Sequence, residues 1–152
     1  MIFSKSGLGR ITDRRRLHLA GWLNIRTFLN NLFRALGDRN RFRIVASLLK
    51  RKELCVCQIH EWLGVSGATA SNHLNALGKA KIVKSRKDGR WVHYSLDQKD
   101  DDLNILMKWI ERKISEDSEL LEDLKRLDKV TSCTPIELRN RQREKQATLS
   151  CC

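Results

Sequence analysis

Cys55 and Cys57, separated by Val56, are the side chains of this sequence best placed for coordination chemistry, and His60 follows three positions later. Thiolate is the form of cysteine that binds soft metals, and a helix N-terminus in a basic protein lowers a thiol's pKa. On a regular helix, residues two apart point about 200° away from each other. The two sulfurs can therefore share one ligand only if Cys55 is still in the non-helical cap, whereas Cys57 and His60 share a face. Cys133, Cys151 and Cys152 lie far along the chain. Five cysteines grouped this way do not resemble the disulfide framework of a small secreted domain, so free thiols in a reducing cytosol are expected. The plain alternative is a pair of cysteines that pack as small apolar residues. A nucleophilic use of Cys57 and His60 has no support: no phosphate loop, nucleophile elbow or paired carboxylates accompany them. An enzyme is not expected.

A second constellation suits a different partner. Ile59, Trp62, Leu63, Gly64 and Val65 precede Ser66, and Thr69, Ala70, Ser71, His73, Leu74 and Leu77 follow it. The apolar members can hold two helices steeply about a glycine-containing turn. Ser66, Ala68, Thr69, Ser71, Asn72 and His73 then lie on and around the exposed first half of the second helix, whose short donors and acceptors suit base edges in a major groove. A basic stretch follows: Lys79, Lys81, Lys84, Arg86, Lys87 and Arg90, opposed by Asp88. Its tip, with Arg86, Lys87 and Arg90, would grip backbone or minor groove, supplying affinity while the bases supply specificity.

The elements that must position these groups can be read from period and punctuation. Trp22, Ile25, Leu29, Leu32, Phe33 and Leu36 make one helical face that Gly37 stops. A second helix, about 39–50, carries Phe42, Val45, Ala46 and Leu49. A third, about 56–63, ends at Gly64, and a fourth, capped by Ser66, buries Ala70, Leu74 and Leu77. Extended stretches at 82–85 and 91–96 flank Asp88-Gly89, a hairpin signal. A single long helix is expected over about 101–130, its stripe of Leu103, Leu106, Ile110, Ile114, Leu121, Leu124 and Leu127 packing against a second copy together with the Trp22 helix; the plain alternative is an amphipathic helix laid on its own domain. Pro135 should mark the end of order. The organisation is thus a basic, disordered tail at 1–21, a winged helix-turn-helix and dimerisation domain at 22–130, and a charged, cysteine-bearing tail at 131–152. The fold class is mainly α with a small β-hairpin, homodimeric through its first and last helices.

The chain has 152 residues, 30 Lys and Arg against 18 Asp and Glu, and a formal net charge of +12. That excess suits nucleic acid or an anionic membrane surface without choosing between them. No apolar run approaches the roughly 18 residues of a spanning helix, so no membrane partner and a cytoplasmic, nucleoid-associated location are expected.

Four ordered motifs carry a resemblance: Leu36-Gly37-Asp38-Arg39-Asn40-Arg41-Phe42-Arg43-Ile44; Glu53-Leu54-Cys55-Val56-Cys57; Ser66-x-x-Thr69-x-Ser71-x-His73-Leu74; and Asp88-Gly89-Arg90-Trp91-Val92-His93-Tyr94-Ser95-Leu96. Together, over about 22–127, the sequence resembles the ArsR family of arsenic- and metal-responsive repressors. The resemblance implies a homodimeric repressor on double-stranded operator DNA, needing no cofactor to bind it and released by an inducer, As(III) or Sb(III) ahead of Cd(II) or Pb(II). Thiol-redox control and effector-independent DNA binding are the alternatives. The resembling arsenic sensors carry a third cysteine where this chain has His60. Either His60 supplies a weaker nitrogen, or Cys133, Cys151 or Cys152 completes the set. No histidine follows His93, so a zinc site built on the last helix is not expected.

Overall fold

The computed structural model describes residues 13–149, and side chains over 25–144. Seven helices and three strands are described: α1 Asp13–Leu36, α2 Arg39–Lys50, β1 Glu53–Cys55, α3 Val56–Leu63, α4 Gly67–Lys79, β2 Val83–Asp88, β3 Trp91–Leu96, α5 Asp101–Ile114, α6 Ser118–Thr131 and α7 Pro135–Leu149. The first helix starts well before Trp22, where its apolar period becomes readable, so the expected tail over 1–21 is helical from Asp13 onward.

Local chemistry explains most boundaries. The Asp38 carboxylate accepts the Arg41 N–H at 2.9 Å and starts α2. Ser66 accepts the Thr69 N–H at 3.1 Å and starts α4, as side-chain oxygens do for the free donors of a first turn. Gly64 ends α3 in the left-handed region, φ 67°, which glycine reaches without strain. At the end of α4, Lys81 takes that role with φ 58°. Its N–H bonds the Gly78 carbonyl and the Ile82 N–H bonds the Leu77 carbonyl, both at 3.0 Å. Buried Leu77 and Ile82 close this Schellman turn.

The sheet is antiparallel in the order β1-β3-β2. β2 runs on to Asp88, which pairs with Trp91, so the tight turn is Gly89-Arg90 rather than a loop beginning at Arg86; Gly89 alone takes a positive φ, 56°. The third strand, Glu53–Cys55, is too short for an alternation to show in sequence. The core joins Ile44, Val45 and Leu48 of α2, Leu54, Ile59 of α3, Leu74 and Leu77 of α4, Ile82 and Val83.

Two expectations fail in the C-terminal third. The long helix over 101–130 is two helices, broken at 115–117, where Asp117 accepts the Leu120 N–H at 3.0 Å and nucleates a new first turn. The break lets α6 fold back on its own domain. Leu124 and Leu127 are buried, and Arg43 of α2 holds Asp123 through two hydrogen bonds, Nε to Oδ2 at 2.6 Å and Nη2 to Oδ1 at 2.9 Å. The Trp62 indole N–H donates to the Asp123 carbonyl at 3.0 Å, and the Arg43 guanidinium lies 4.8 Å from the Trp62 ring. Leu103, Ile110 and Ile114 of α5 are buried in the same core as Leu124 and Leu127, so most of the expected dimer stripe is spent inside one chain and Leu121 alone of it stays exposed.

The second failure is at Pro135, which opens a helix instead of ending order. Proline fits a first helical position because its missing N–H would have no partner there. Thr134 and Glu137 cap each other, with Thr134 N–H to Glu137 Oε2 at 2.8 Å and Glu137 N–H to Thr134 Oγ1 at 3.3 Å. α7 packs on α3 through buried Leu138.

Candidate thiol site and nucleic-acid interface

Cys55 is both the last residue of β1 and the N-cap of α3, φ −72° and ψ 147°, the non-helical placement that lets its sulfur meet that of Cys57. Both cysteines are free and buried. Cys55 Sγ accepts the Cys57 N–H at 3.4 Å, and the Cys55 N–H donates to Gln58 Oε1 at 2.9 Å, a reciprocal cap with sulfur in the place of a hydroxyl. A hydrogen bond from the Cys57 thiol pulls Cys55 from the ordinary 9.0 down to about 6, against burial, with the Cys57 backbone, His93 and the Gln58 backbone adding to the effect. Cys57 moves upward, because Cys55 holds its proton and burial disfavours a second charge. With Cys133, Cys151 and Cys152 replaced by serine, ultraviolet thiolate absorbance should show one thiolate appearing above a midpoint near pH 6 and lost on acidification. In Cys57→Ala the midpoint should climb toward 9. A midpoint near 9 in the protein with both thiols would contradict this sharing.

The other expected sulfur and nitrogen donors are not gathered. His60 is half-exposed on α3. Cys133 is half-buried ahead of α7, its sulfur 3.5 Å from Arg141 Nη1. Cys151 and Cys152 lie outside the described residues. Among the described residues no three His, Cys, Asp or Glu side chains converge closely enough to hold a metal ion. Two thiols fit one soft ion by their chemistry, and a third donor is not assembled with them.

Two neighbours of the pair escaped the sequence reading. His93 faces Cys55 across the sheet, in register, with a side chain 21% exposed. Gln142 of α7 donates to the Cys57 carbonyl at 3.1 Å and lies 3.4 Å from Glu61 Oε2. Neither has a local signature, since one depends on a three-residue strand and the other on a helix folding back.

On α4 the exposed row is Ala68, Asn72, Asn75 and Lys79, with Thr69 beside it. Asn75 and Lys79 continue the stripe by the same helical period and were overlooked as candidates. Ser66 and Thr69 bond each other through their hydroxyls at 2.8 Å, and Ser71 is half-exposed. His73 turns inward: its side chain is 15% exposed and Nδ1 lies 3.6 Å from Asp38 Oδ1. On the hairpin, Lys84, Lys87 and Arg90 are exposed, while Arg86 is held by carboxylates of Glu53 and Asp88.

A supporting helix, a glycine-bearing turn, a capped second helix with a polar outer row and a basic hairpin define a winged helix-turn-helix protein. Residues 38–85 match the family model described as bacterial regulatory protein, arsR family. The chain is 46% identical over 66 residues to the cadmium resistance transcriptional regulatory protein CadC of Listeria innocua, covering 43% of this chain and 56% of that one. It is 42% identical over 65 residues to the arsenical resistance operon repressor of Escherichia coli K12, again 43% and 56%. A third relative, an uncharacterized HTH-type transcriptional regulator of Methanocaldococcus jannaschii, is 44% identical over 63 residues, 41% of this chain and 71% of that one. The chain thus spans little more than half the length of the first two. The solved homodimeric winged helix-turn-helix DNA-binding domain of a Mycobacterium bovis protein superposes with a TM-score of 0.51 at 22% identity, covering 73% of this chain and 94% of that one, and shows the shared fold. This chain belongs to the ArsR family, a family of DNA-binding transcriptional regulators and not of enzymes.

Proposed function

We propose that this protein is a sequence-specific transcriptional repressor that leaves its operator when a thiophilic ion takes up Cys55 and Cys57. The observation that carries the reading is the position of the thiol pair: it caps the very helix against which the reading helix packs. The relatives' names point to arsenic and cadmium, and a shared proton that favours one thiolate suits either. Arsenite or antimonite is the first choice, with the third donor coming from His60, Cys133 or the terminal cysteines. Engaging Cys55 Sγ takes away the acceptor of the Cys57 N–H, so the start of α3 has to rearrange. α4 is packed against α3 and moves with it.

The base-reading surface is Thr69, Ser71, Asn72 and, from the structure, Asn75, with Lys79, Lys84, Lys87 and Arg90 on phosphates. The functional unit is a homodimer. Ile25, Leu29 and Phe33 form a row on α1, 41–63% exposed, and Ile105 and Trp109 form another on α5, 66% and 51% exposed. Paired with a second copy, these rows leave water; Ile105 and Trp109 lie outside the stripe expected from the sequence, whose Leu103 and Ile110 are buried within the chain. Among the described residues no helix is long and apolar enough to cross a membrane.

The test is a duplex selected by the purified, reduced protein from a random-sequence library, titrated with arsenite, antimonite and cadmium chloride. Release by at least one ion at a small molar excess over thiols is expected. A complex indifferent to all three, and to peroxide, would make this an effector-independent regulator; release by peroxide alone would make it a thiol-redox one.

A further inference from the structure

We infer that Glu53 is a positioning residue joining the thiol pair to the wing: its carboxylate competes with operator phosphate for Arg86, and the strand that carries it ends at Cys55. The inference rests on the reading of Cys55 and Cys57 as the ion site.

The sheet register supplies the connection. Cys55 pairs with His93 on one side of β3, and His93 pairs with Arg86 on the other. Directly opposed residues of antiparallel strands share a face, so thiol, imidazole and guanidinium form one row across three strands. Glu53, two residues from Cys55, lies on that same face. Its Oε2 accepts Arg86 Nη2 at 3.0 Å and its Oε1 accepts Arg86 Nε at 3.2 Å, while Arg86 Nη1 donates to Asp88 Oδ2 at 3.2 Å. His93 Nδ1 is 3.8 Å from Glu53 Oε2.

All three guanidinium nitrogens are therefore turned to carboxylates, and the trio of Glu53, Arg86 and Asp88 carries a net negative charge in the midst of a basic hairpin. Lys84, Lys87 and Arg90 have no such partner among the described residues. Glu53 and Arg86 are 39% and 55% exposed, so water screens the pair and an arriving phosphate can replace the carboxylate. What sets the balance is where β1 holds Glu53. β1 has three residues, and buried Leu54 is its pivot. A rearrangement of the Cys55 cap is passed to Glu53 through two peptide units, changing how firmly it retains Arg86.

The test compares the full-length protein with Glu53→Gln, Arg86→Ala and the double variant on the selected duplex, at several salt concentrations, with and without arsenite or cadmium chloride. Glu53→Gln should raise affinity several-fold without ion and steepen the log-affinity against log-salt slope by about one per protomer, the signature of one more neutralised phosphate. The ion-induced loss of affinity should shrink several-fold, and in the Arg86→Ala background Glu53→Gln should change neither slope nor response. Unchanged affinity, slope and response in Glu53→Gln, or equal changes with and without Arg86, would overturn the inference. Ion uptake without DNA, followed by thiolate-to-metal absorption, separates the two failures: no uptake by the unmodified protein overturns the ion site and this relay with it, whereas normal uptake with an unaltered Glu53→Gln response overturns the relay alone.

Discussion

Replacing Asn72 or Asn75 with alanine is expected to lower affinity for the selected duplex by about 5- to 150-fold each, the range of about 1–3 kcal/mol for one lost bidentate base contact. Both side chains are exposed on the outer row of α4, on the opposite side from buried Ala70, Leu74 and Leu77. Their amides can meet one base edge with two separate atoms, the oxygen accepting and the nitrogen donating, whereas Ser71 and Thr69 each offer one hydroxyl oxygen for both roles. The loss should fall on specific sequences: affinity for unrelated duplex, and its salt slope, should stay near the starting values because phosphate contacts are untouched. His73→Ala is the contrasting variant. Its side chain sits against Asp38, the cap of α2, so it should lower stability somewhat while preserving the preferred sequence. Binding selections on the variant proteins check all three. An Asn72→Ala, Asn75→Ala protein that kept both affinity and preference would remove α4 as the reading element.

The second large effect concerns the thiols. Cys55→Ser, Cys57→Ser should hold the selected duplex within a few-fold of the original, because serine is a good N-cap and can accept the same backbone N–H. The ion response should vanish, a change of about 5- to 150-fold in the ion's effect for a coupling of about 1–3 kcal/mol. Fluorescence anisotropy on labelled duplex, with arsenite and cadmium chloride, measures both quantities. A double variant still released by arsenite would put the ion elsewhere. The C-terminal thiols are best tested by serine replacement of Cys133, Cys151 and Cys152 rather than by truncation. Removing the chain from Cys133 would also remove α7, uncover the face of α3 that Leu138 covers and delete the Gln142 bond to the Cys57 carbonyl.

Short-range chemistry was readable without coordinates. Ser66 as a cap, Gly64 as a helix stop, the burial of Ala70, Leu74 and Leu77, and the hairpin ahead of Leu96 all depend on residues within a few positions of one another. The same holds for Cys55 in the cap, which makes a shared site geometrically allowed. Residues from distant parts of the chain meet only in the folded protein, and there the sequence was silent or misleading. A leucine period continuing across 115–117 looks like one helix, yet Asp117 can cap a new one, and the bidentate Arg43–Asp123 pair decides that α6 turns back. Pro135 reads equally as an end or a beginning, and the Thr134–Glu137 cap with Leu138 buried on α3 selects the beginning. The row of Cys55, His93 and Arg86 exists only through strand register, a property of pairing between strands that no single stretch of sequence carries.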